Sequence, residues 1–322
     1  MKKKLSKPKI FFWGTSSFAV EILENLQKKG WMFDQIISQP DRPVGRKKIL
    51  TAPPVKLWAQ KNSIPLWQWE KLDNSAVKFL KEENPDLFIV AAYGKILPPQ
   101  ILAIPQFGAI NIHGSLLPAY RGASPIQAAL LDGQTQTGIS LILMNEKMDA
   151  GPILKQSVLT IQPTENYAQL EKKLAQESAK ILPTVIEQWL AKKITPKKQN
   201  EKKATFCSLI QKNDGLIDWS QPAKKIFNRW RAFALWPGIF SFWERKPGIK
   251  KRLVIFPEKP SSLSSSQARS GQAFLDKNRQ LFIQTGQGSL KIAFLQLEGK
   301  KKLATQEFLL GYPDFIGAVL TN

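Results

Sequence analysis

Lys9-Ile-Phe-Phe-Trp-Gly-Thr-Ser-Ser-Phe18 decides the fold. A short apolar run is closed by Gly14, and two serines then open an amphipathic pattern over residues 18–28, so the segment reads as strand, tight turn and helix. The same unit recurs outward from it. Further strands are expected at 33–38, 87–91, 109–113 and 139–144, with helices near 54–61, 75–83 and 125–131 between them. Strands alternating with helices in this way build βαβ units, hence a Rossmann-like α/β domain with a mostly parallel, doubly wound sheet. In such sheets ligands sit beyond the carboxyl ends of the strands, so residues that directly follow a strand carry the most functional weight.

Beyond residue 145 the pattern changes. Leu170, Leu174, Ala179 and Ile186 recur at near-helical spacing and predict one long helix over about 166–190, bent at Pro183. The polar, basic and proline-broken stretch that follows reads as a linker. A helix near 223–233 then precedes closely spaced β-rich runs at 239–243, 252–256, 272–275, 281–284 and 290–297, which suit a small OB-like β-barrel better than a second parallel sheet. The expected organisation is a catalytic domain over 1–190, a linker over 191–206 and a barrel domain over 207–322. Trp230, Trp236 and Trp243 are expected in the barrel core.

The 322 residues carry 47 Lys and Arg against 25 Asp and Glu, a net charge of +22. The excess is uneven: residues 1–190 hold 23 basic and 16 acidic side chains, whereas residues 191–322 hold 24 and 9. A polyanionic partner is one reading of this balance, and a general lysine bias is the other. Cys207 is the single cysteine and His113 the single histidine, so neither a disulfide within the chain nor a typical zinc ligand set is expected, and no metal is assigned. The lysine-rich start resembles the head of a secretory leader, but its apolar run ends at Gly14, short of the roughly 7–15 residues such a leader needs. No run reaches transmembrane length. A cytoplasmic location, no membrane contact and a monomeric state are expected.

Three places after strands could carry chemistry. Asn111 and His113 lie two residues apart at the end of the expected strand 109–113, so alternation puts them on one face, where an amide and an imidazole can converge on one atom. Such a pair can polarise a carbonyl, hold the oxyanion that grows on attack, and move a proton near neutral pH. A strand-end histidine bonded to a backbone carbonyl is the plain alternative. The Gly114, Pro118, Gly122 and Pro125 punctuation behind it describes a long ordered loop, which favours a ligand site. Asp149, in Asn145-Glu-Lys-Met-Asp-Ala-Gly151 after the strand 139–144, could orient the imidazole and relay protons. The third place, Gly14-Thr-Ser-Ser-Phe-Ala19, lacks the later glycines of a dinucleotide loop, and no phosphate-binding Gly-x-x-x-x-Gly-Lys-Ser/Thr occurs. Separately, Gln39-Pro-Asp-Arg-Pro-Val-Gly-Arg-Lys-Lys48 holds four basic residues in ten. It is either a solvated loop or an arm whose Arg42, Arg46, Lys47 and Lys48 meet phosphates.

At these residues the chain resembles the methionyl-tRNA formyltransferase family. The likeness rests on residues 14–19, 39–46, Ala-Ala-Tyr-Gly-Lys-Ile-Leu-Pro at 91–98, the 111–125 signature and Met-Asp-Ala-Gly at 148–151. It continues in Ile-Asp-Trp at 217–219 and Arg-Ala-Phe-Ala-Leu-Trp-Pro at 231–237. The resemblance implies transfer of a formyl group from 10-formyltetrahydrofolate to the α-amino group of methionyl initiator tRNA. It implies Asn111, His113 and Asp149 as the catalytic trio, Ser115, Leu116, Leu117 and Pro118 as the stretch bordering the folate, and Arg42 in a loop entering the tRNA acceptor end. Trp13 and Ser16 depart from the family's first motif, which bears on the shape of that loop. Two other classes stay open: a formyltransferase with a small amine acceptor, such as a sugar nucleotide or glycinamide ribonucleotide, and a non-catalytic RNA-binding protein on the same scaffold.

Overall fold

A computed structural model describes residues 7–45, 47–265 and 268–322. Its backbone clusters into two compact units. The first comprises residues to Pro125 together with Gln136–Thr160 and Glu171–Ser208, and the second comprises Ile126–Thr135, Ile161–Leu170 and Leu209–Asn322.

In chain order the elements of the first half are β1 (Ile10–Gly14), α1 (Ser17–Gln27), β2 (Gln35–Ser38), β3 (Arg42–Val44), β4 (Ile49–Thr51), α2 (Pro54–Lys61), β5 (Leu66–Gln68) and α3 (Asn74–Glu83). They continue as β6 (Leu87–Ala91), α4 (Pro99–Leu102), β7 (Ala109–His113), β8 (Arg121–Gly122), α5 (Pro125–Leu131), β9 (Gln136–Leu143), β10 (Ile153–Thr160), α6 (Tyr167–Leu190) and β11 (Phe206–Cys207). Seven of the strands form one sheet in the order β10-β9-β7-β6-β1-β2-β5. From β7 to β5 every pairing is parallel. β1 and β6 are buried along their whole length, as expected of central strands covered on both faces. On one face Phe11, Trp13, Phe88 and Val90 pack with Leu80, Leu97 and Ile101, while on the other Phe12 meets the ring of Phe33 at 5.0 Å.

The sheet departs from a uniform βαβ series at one edge. β9 runs antiparallel to β7, and β10 antiparallel to β9. The chain between β7 and β9 does not form a crossover on this sheet, because residues 126–135 are grouped with the second unit. α6 runs unbroken through Pro183. The stretch read as a linker is laid against the first unit: Lys197 exchanges two backbone hydrogen bonds with Ile153, and Phe206 pairs with Arg121. The basic loop near residue 40 carries β3 and β4, which among the described residues pair with each other and with no other strand.

The second unit contains α7 (Ala223–Ala232), β12 (Ile239–Lys246), β13 (Ile249–Ser261), β14 (Ala273–Leu275), β15 (Leu281–Gln284), β16 (Ser289–Leu297), β17 (Leu303–Ala304) and α8 (Thr305–Gly311). Its strands are antiparallel in the order β12-β13-β16-β15-β14, with β17 added to β16. The C-terminal tail joins the two edges, because Thr321 bridges Phe242 of β12 and Val319 bridges Gln272 just before β14. The sheet thereby closes on itself and leaves few unpaired edge groups. Trp243 is 3% exposed and packs against Phe308, Tyr312 and Phe315, as expected of a core residue. Trp236 is 54% exposed and lies outside the core, which corrects the expectation for that residue. It follows α7 in a turn rather than a strand, so strand alternation has no hold on its direction.

Candidate active site

β7 brings the first two candidates together. Alternation along the strand puts Asn111 and His113 on the same face, at the carboxyl edge of the five parallel strands. His113 Nε2 lies 2.9 Å from the backbone oxygen of Tyr120. A carbonyl oxygen can only accept, so Nε2 carries the proton, and Nδ1 is the ring's open acceptor in the neutral form. That nitrogen faces Asp149 Oδ1 at 3.6 Å, with the two side chains 6% and 13% exposed.

Asp149 arrives by a route that a purely parallel sheet would not provide. Because β9 is antiparallel, Leu143 pairs with Ile110, and the following loop starts beside the amino end of β7. The loop then returns, with Asp149 in the left-handed region at φ 51°. Its carboxylate is the hub of the cluster: Asn111 Nδ2 donates to Oδ1 at 3.2 Å, and the Gly122 amide donates to Oδ2 at 2.8 Å. Gly122 has φ 125°, and a Cβ there would stand 2.1 Å from the Cys207 oxygen, so glycine is required where β8 meets β11.

The 115–118 stretch continues directly from this cluster and is fixed from beneath by two strand residues. Ser140 on β9 donates to the Ser115 oxygen at 2.7 Å and accepts from the Leu117 amide at 3.0 Å. Gln156 on β10 donates to Ser140 and to the Leu117 oxygen. Ser115 and Leu117 are buried, while Leu116 and Pro118 are half-buried. The first pair therefore shapes the backbone of the stretch, and the second offers it surface.

Arg42, Lys47 and Lys48 are exposed on the β3–β4 hairpin, and Arg46 lies outside the described residues. The hairpin follows β2, so it leaves the sheet at the carboxyl edge where β7 ends. Arg42 pairs with Glu70 at 2.8 Å, but both side chains are more than half exposed, and such a pair contributes little. The base of the hairpin is held better, by Lys56 on Asp41 and by Gln68 on the Gln39 oxygen. The Lys56 and Gln68 hydrogen bonds hold the Asp41 carboxyl below its ordinary range.

Sequence analysis assigned no role to two further residues, Arg121 inside the 111–125 signature and Gln199 in the polar stretch after α6. The Arg121 guanidinium is buried and donates through Nε and Nη2 to Gln199 Oε1, and through Nη1 and Nη2 to Glu201. The Glu201 hydrogen bonds raise its pKa, against the effect of burial. Gln199 in turn donates to the backbone oxygens of Asp149 and Gly151 at 2.8 and 2.7 Å. Gln199 stands in the polar stretch read as a linker, where nothing in the spacing distinguishes it.

At the carboxyl edge of the parallel strands an amide, an imidazole and a carboxylate meet around one point, a set able to polarise a carbonyl and move a proton. The family profile described as Formyl transferase matches residues 7–186, and that described as Formyl transferase, C-terminal domain, matches residues 209–313. A methionyl-tRNA formyltransferase of Caldicellulosiruptor saccharolyticus is 39% identical over 316 residues, covering 97% of this chain and 99% of that protein. Another, from Thermodesulfovibrio yellowstonii, is 40% identical, covering 94% and 95%. The chain belongs to the methionyl-tRNA formyltransferase family. Among solved structures, HypX from Aquifex aeolicus in complex with tetrahydrofolic acid superposes with a TM-score of 0.62 at 15% identity, over 97% of this chain and 48% of that one. The sugar 3N-formyl transferase WlaRD gives 0.60 at 17% identity, over 92% and 100%. These likenesses concern the fold.

Proposed function

We propose that this chain transfers the formyl group of 10-formyltetrahydrofolate to the α-amino group of methionine on initiator tRNA, giving N-formylmethionyl-tRNA. The observation that carries the reading is the meeting of Asn111, His113 and Asp149 in one cluster, in a chain alike to named methionyl-tRNA formyltransferases along nearly its whole length.

The amine lone pair forms the new C–N bond while the bond from the formyl carbon to N10 of the folate breaks. One proton leaves the amine and one is gained by N10, so the exchange balances without an oxidant. Asn111 gives one N–H to Asp149 and has a second for the formyl oxygen, where negative charge grows during attack. His113, anchored through Nε2, takes the amine proton at Nδ1, where Asp149 stabilises the resulting cation. Ser115 to Pro118 border the folate, and Leu116 and Pro118 supply the contact surface. Arg42, Arg46, Lys47 and Lys48 meet phosphates of the tRNA acceptor end. The enzyme acts in the cytoplasm as a monomer, and no helix among the described residues is long and apolar enough to cross a membrane.

The direct test is formyl transfer from 10-formyltetrahydrofolate to charged initiator tRNA. The wild-type chain is expected to formylate it. His113→Ala lowers turnover roughly 10²–10⁴-fold, and Asn111→Ala lowers it on the order of 10²–10³-fold. Turnover with glycinamide ribonucleotide or a sugar-nucleotide amine, and none with methionyl-tRNA, would reverse the choice of acceptor. Near-native turnover by His113→Ala would remove the mechanism.

A further inference from the structure

The Asn111 and His113 side chains and the Gly122 amide all reach or face the Asp149 carboxylate, yet none of these three holds its backbone. That backbone needs holding, because Asp149 occupies the left-handed region, which a non-glycine residue adopts only when its surroundings impose it. Gly151, two residues on, is packed so closely that a Cβ would fall 1.7 Å from the Leu143 oxygen. The loop therefore has little slack on its carboxyl side. The carbonyl oxygens of Asp149 and Gly151 both point at one group, the Gln199 side-chain amide, at 2.8 and 2.7 Å.

The orientation of that amide is dictated by its other neighbour. Arg121 is a donor only, and its Nε and Nη2 lie 3.1 and 2.8 Å from Gln199 Oε1, so the carbonyl end of Gln199 must face the guanidinium and the NH₂ end must face the loop. Glu201 fixes the guanidinium from the far side with two 2.8 Å contacts. Arg121 also flanks both backbone groups that hold the cluster: the Tyr120 oxygen receives the His113 proton, and the Gly122 amide binds Asp149 Oδ2. The chain of contacts runs from Glu201 through Arg121 and Gln199 to the peptide that aims the Asp149 carboxylate. Supporting contacts of this kind decide whether a site is held within a few tenths of an ångström of its working geometry.

We propose that Gln199 is a positioning residue for Asp149. Its two donated hydrogen bonds set the backbone from which Oδ1 reaches Asn111 Nδ2 and faces His113 Nδ1. The inference rests on the formyl-transfer reading above for its kinetic consequence, but not for its structural one.

The test compares two full-length variants. Gln199→Glu keeps an acceptor toward Arg121 and replaces the loop-facing donor by an oxygen, so it removes the two loop hydrogen bonds selectively. Gln199→Met removes them without adding a charge and serves if the first variant does not fold, as judged by circular dichroism and melting temperature. In a folded variant kcat is expected to fall about 10- to 100-fold with KM for both substrates within about twofold. In an Asp149→Asn background the same substitution should cost less than about twofold more, because its route of action is already gone. A third readout needs neither tRNA nor turnover. His113 is the only histidine, so in the untagged protein its ring nitrogens give isolated ¹⁵N resonances. The Nδ1 signal should move in Gln199→Met at fixed pH and should not move further when that change is added to Asp149→Asn. Wild-type kcat in a folded variant, full additivity with Asp149→Asn, or an unmoved Nδ1 signal would each overturn the proposal. If the wild-type chain does not formylate methionyl-tRNA, the functional reading fails, and the Nδ1 signal alone decides the role of Gln199.

Discussion

At the scale of the single residue, Cys207 shows how closely the site is enclosed. Its sulfur lies 3.5 Å from the backbone oxygens of Tyr120 and Arg121, the same segment that holds His113 and Asp149. Burial pushes the thiol pKa up, the Ser124 backbone lowers it in part, and the Asp149 charge raises it again. Only the thiolate is nucleophilic, and a raised pKa leaves less of it at any given pH below the folded value. Iodoacetamide at pH 8 should therefore label Cys207 more slowly than a free cysteine, with the rate recovering as the pH rises. Once labelled, the enzyme should lose most of its activity, because the added group must displace Tyr120 to Gly122. Cys207→Ser should stay active and become indifferent to the reagent. Labelling at the free-thiol rate with activity retained would show that this segment does not hold the cluster.

At the scale of the element, the β3–β4 hairpin has the least support of its own. Two three-residue strands are marginal in isolation, and Val44, Ile49 and Leu50 are exposed on them. What orients the hairpin is its base, where Asp41 receives Lys56 and the Gln39 oxygen receives Gln68. Among the described residues Arg42 is ion-paired to the exposed Glu70, so it can exchange that partner for a phosphate at small cost. Arg42→Ala is expected to raise KM for methionyl-tRNA roughly 10-fold or more, the worth of a charge-assisted contact, and to leave KM for the folate nearly unchanged. Equal effects on both substrates would move the hairpin's role from phosphate contact to folate binding. The elements also show what a sequence can disclose. β1 and β6 were legible because both faces are apolar, and β7 because Ile110 and Ile112 alternate with Asn111 and His113. β10 was not legible, since its half-exposed edge position mixes Lys155, Gln156 and Ser157 with apolar residues. The direction of β9 escaped because a helix between two strands suggests a crossover, whereas residues 126–135 fold with the second unit. Gln199 escaped for a different reason: it acts through backbone oxygens, which leave no pattern in the side chains.

At the scale of the whole molecule, charge is the property to test. The net +22 is far more than a folate and an amino acid require, and over half of it lies in residues 191–322. Two origins are possible for a lysine excess, a polyanionic substrate or a general compositional bias, and they differ in a measurable way. Side chains that neutralise phosphates release condensed counterions, so the logarithm of the binding constant falls linearly with the logarithm of salt concentration. Lysines that only solvate the surface leave that slope near zero. If about six phosphates are engaged, affinity for methionyl-tRNA should fall on the order of 10³-fold between 50 and 200 mM salt. Folate affinity, measured on the same protein, should change by no more than about twofold if, as proposed, folate binds at Asn111, His113 and the 115–118 stretch rather than on the basic surface. Neutralising Arg42 should reduce the tRNA slope by about one phosphate equivalent, linking the hairpin to the long-range field. A flat tRNA profile would assign the lysine excess to composition and would leave the choice of acceptor to the site alone.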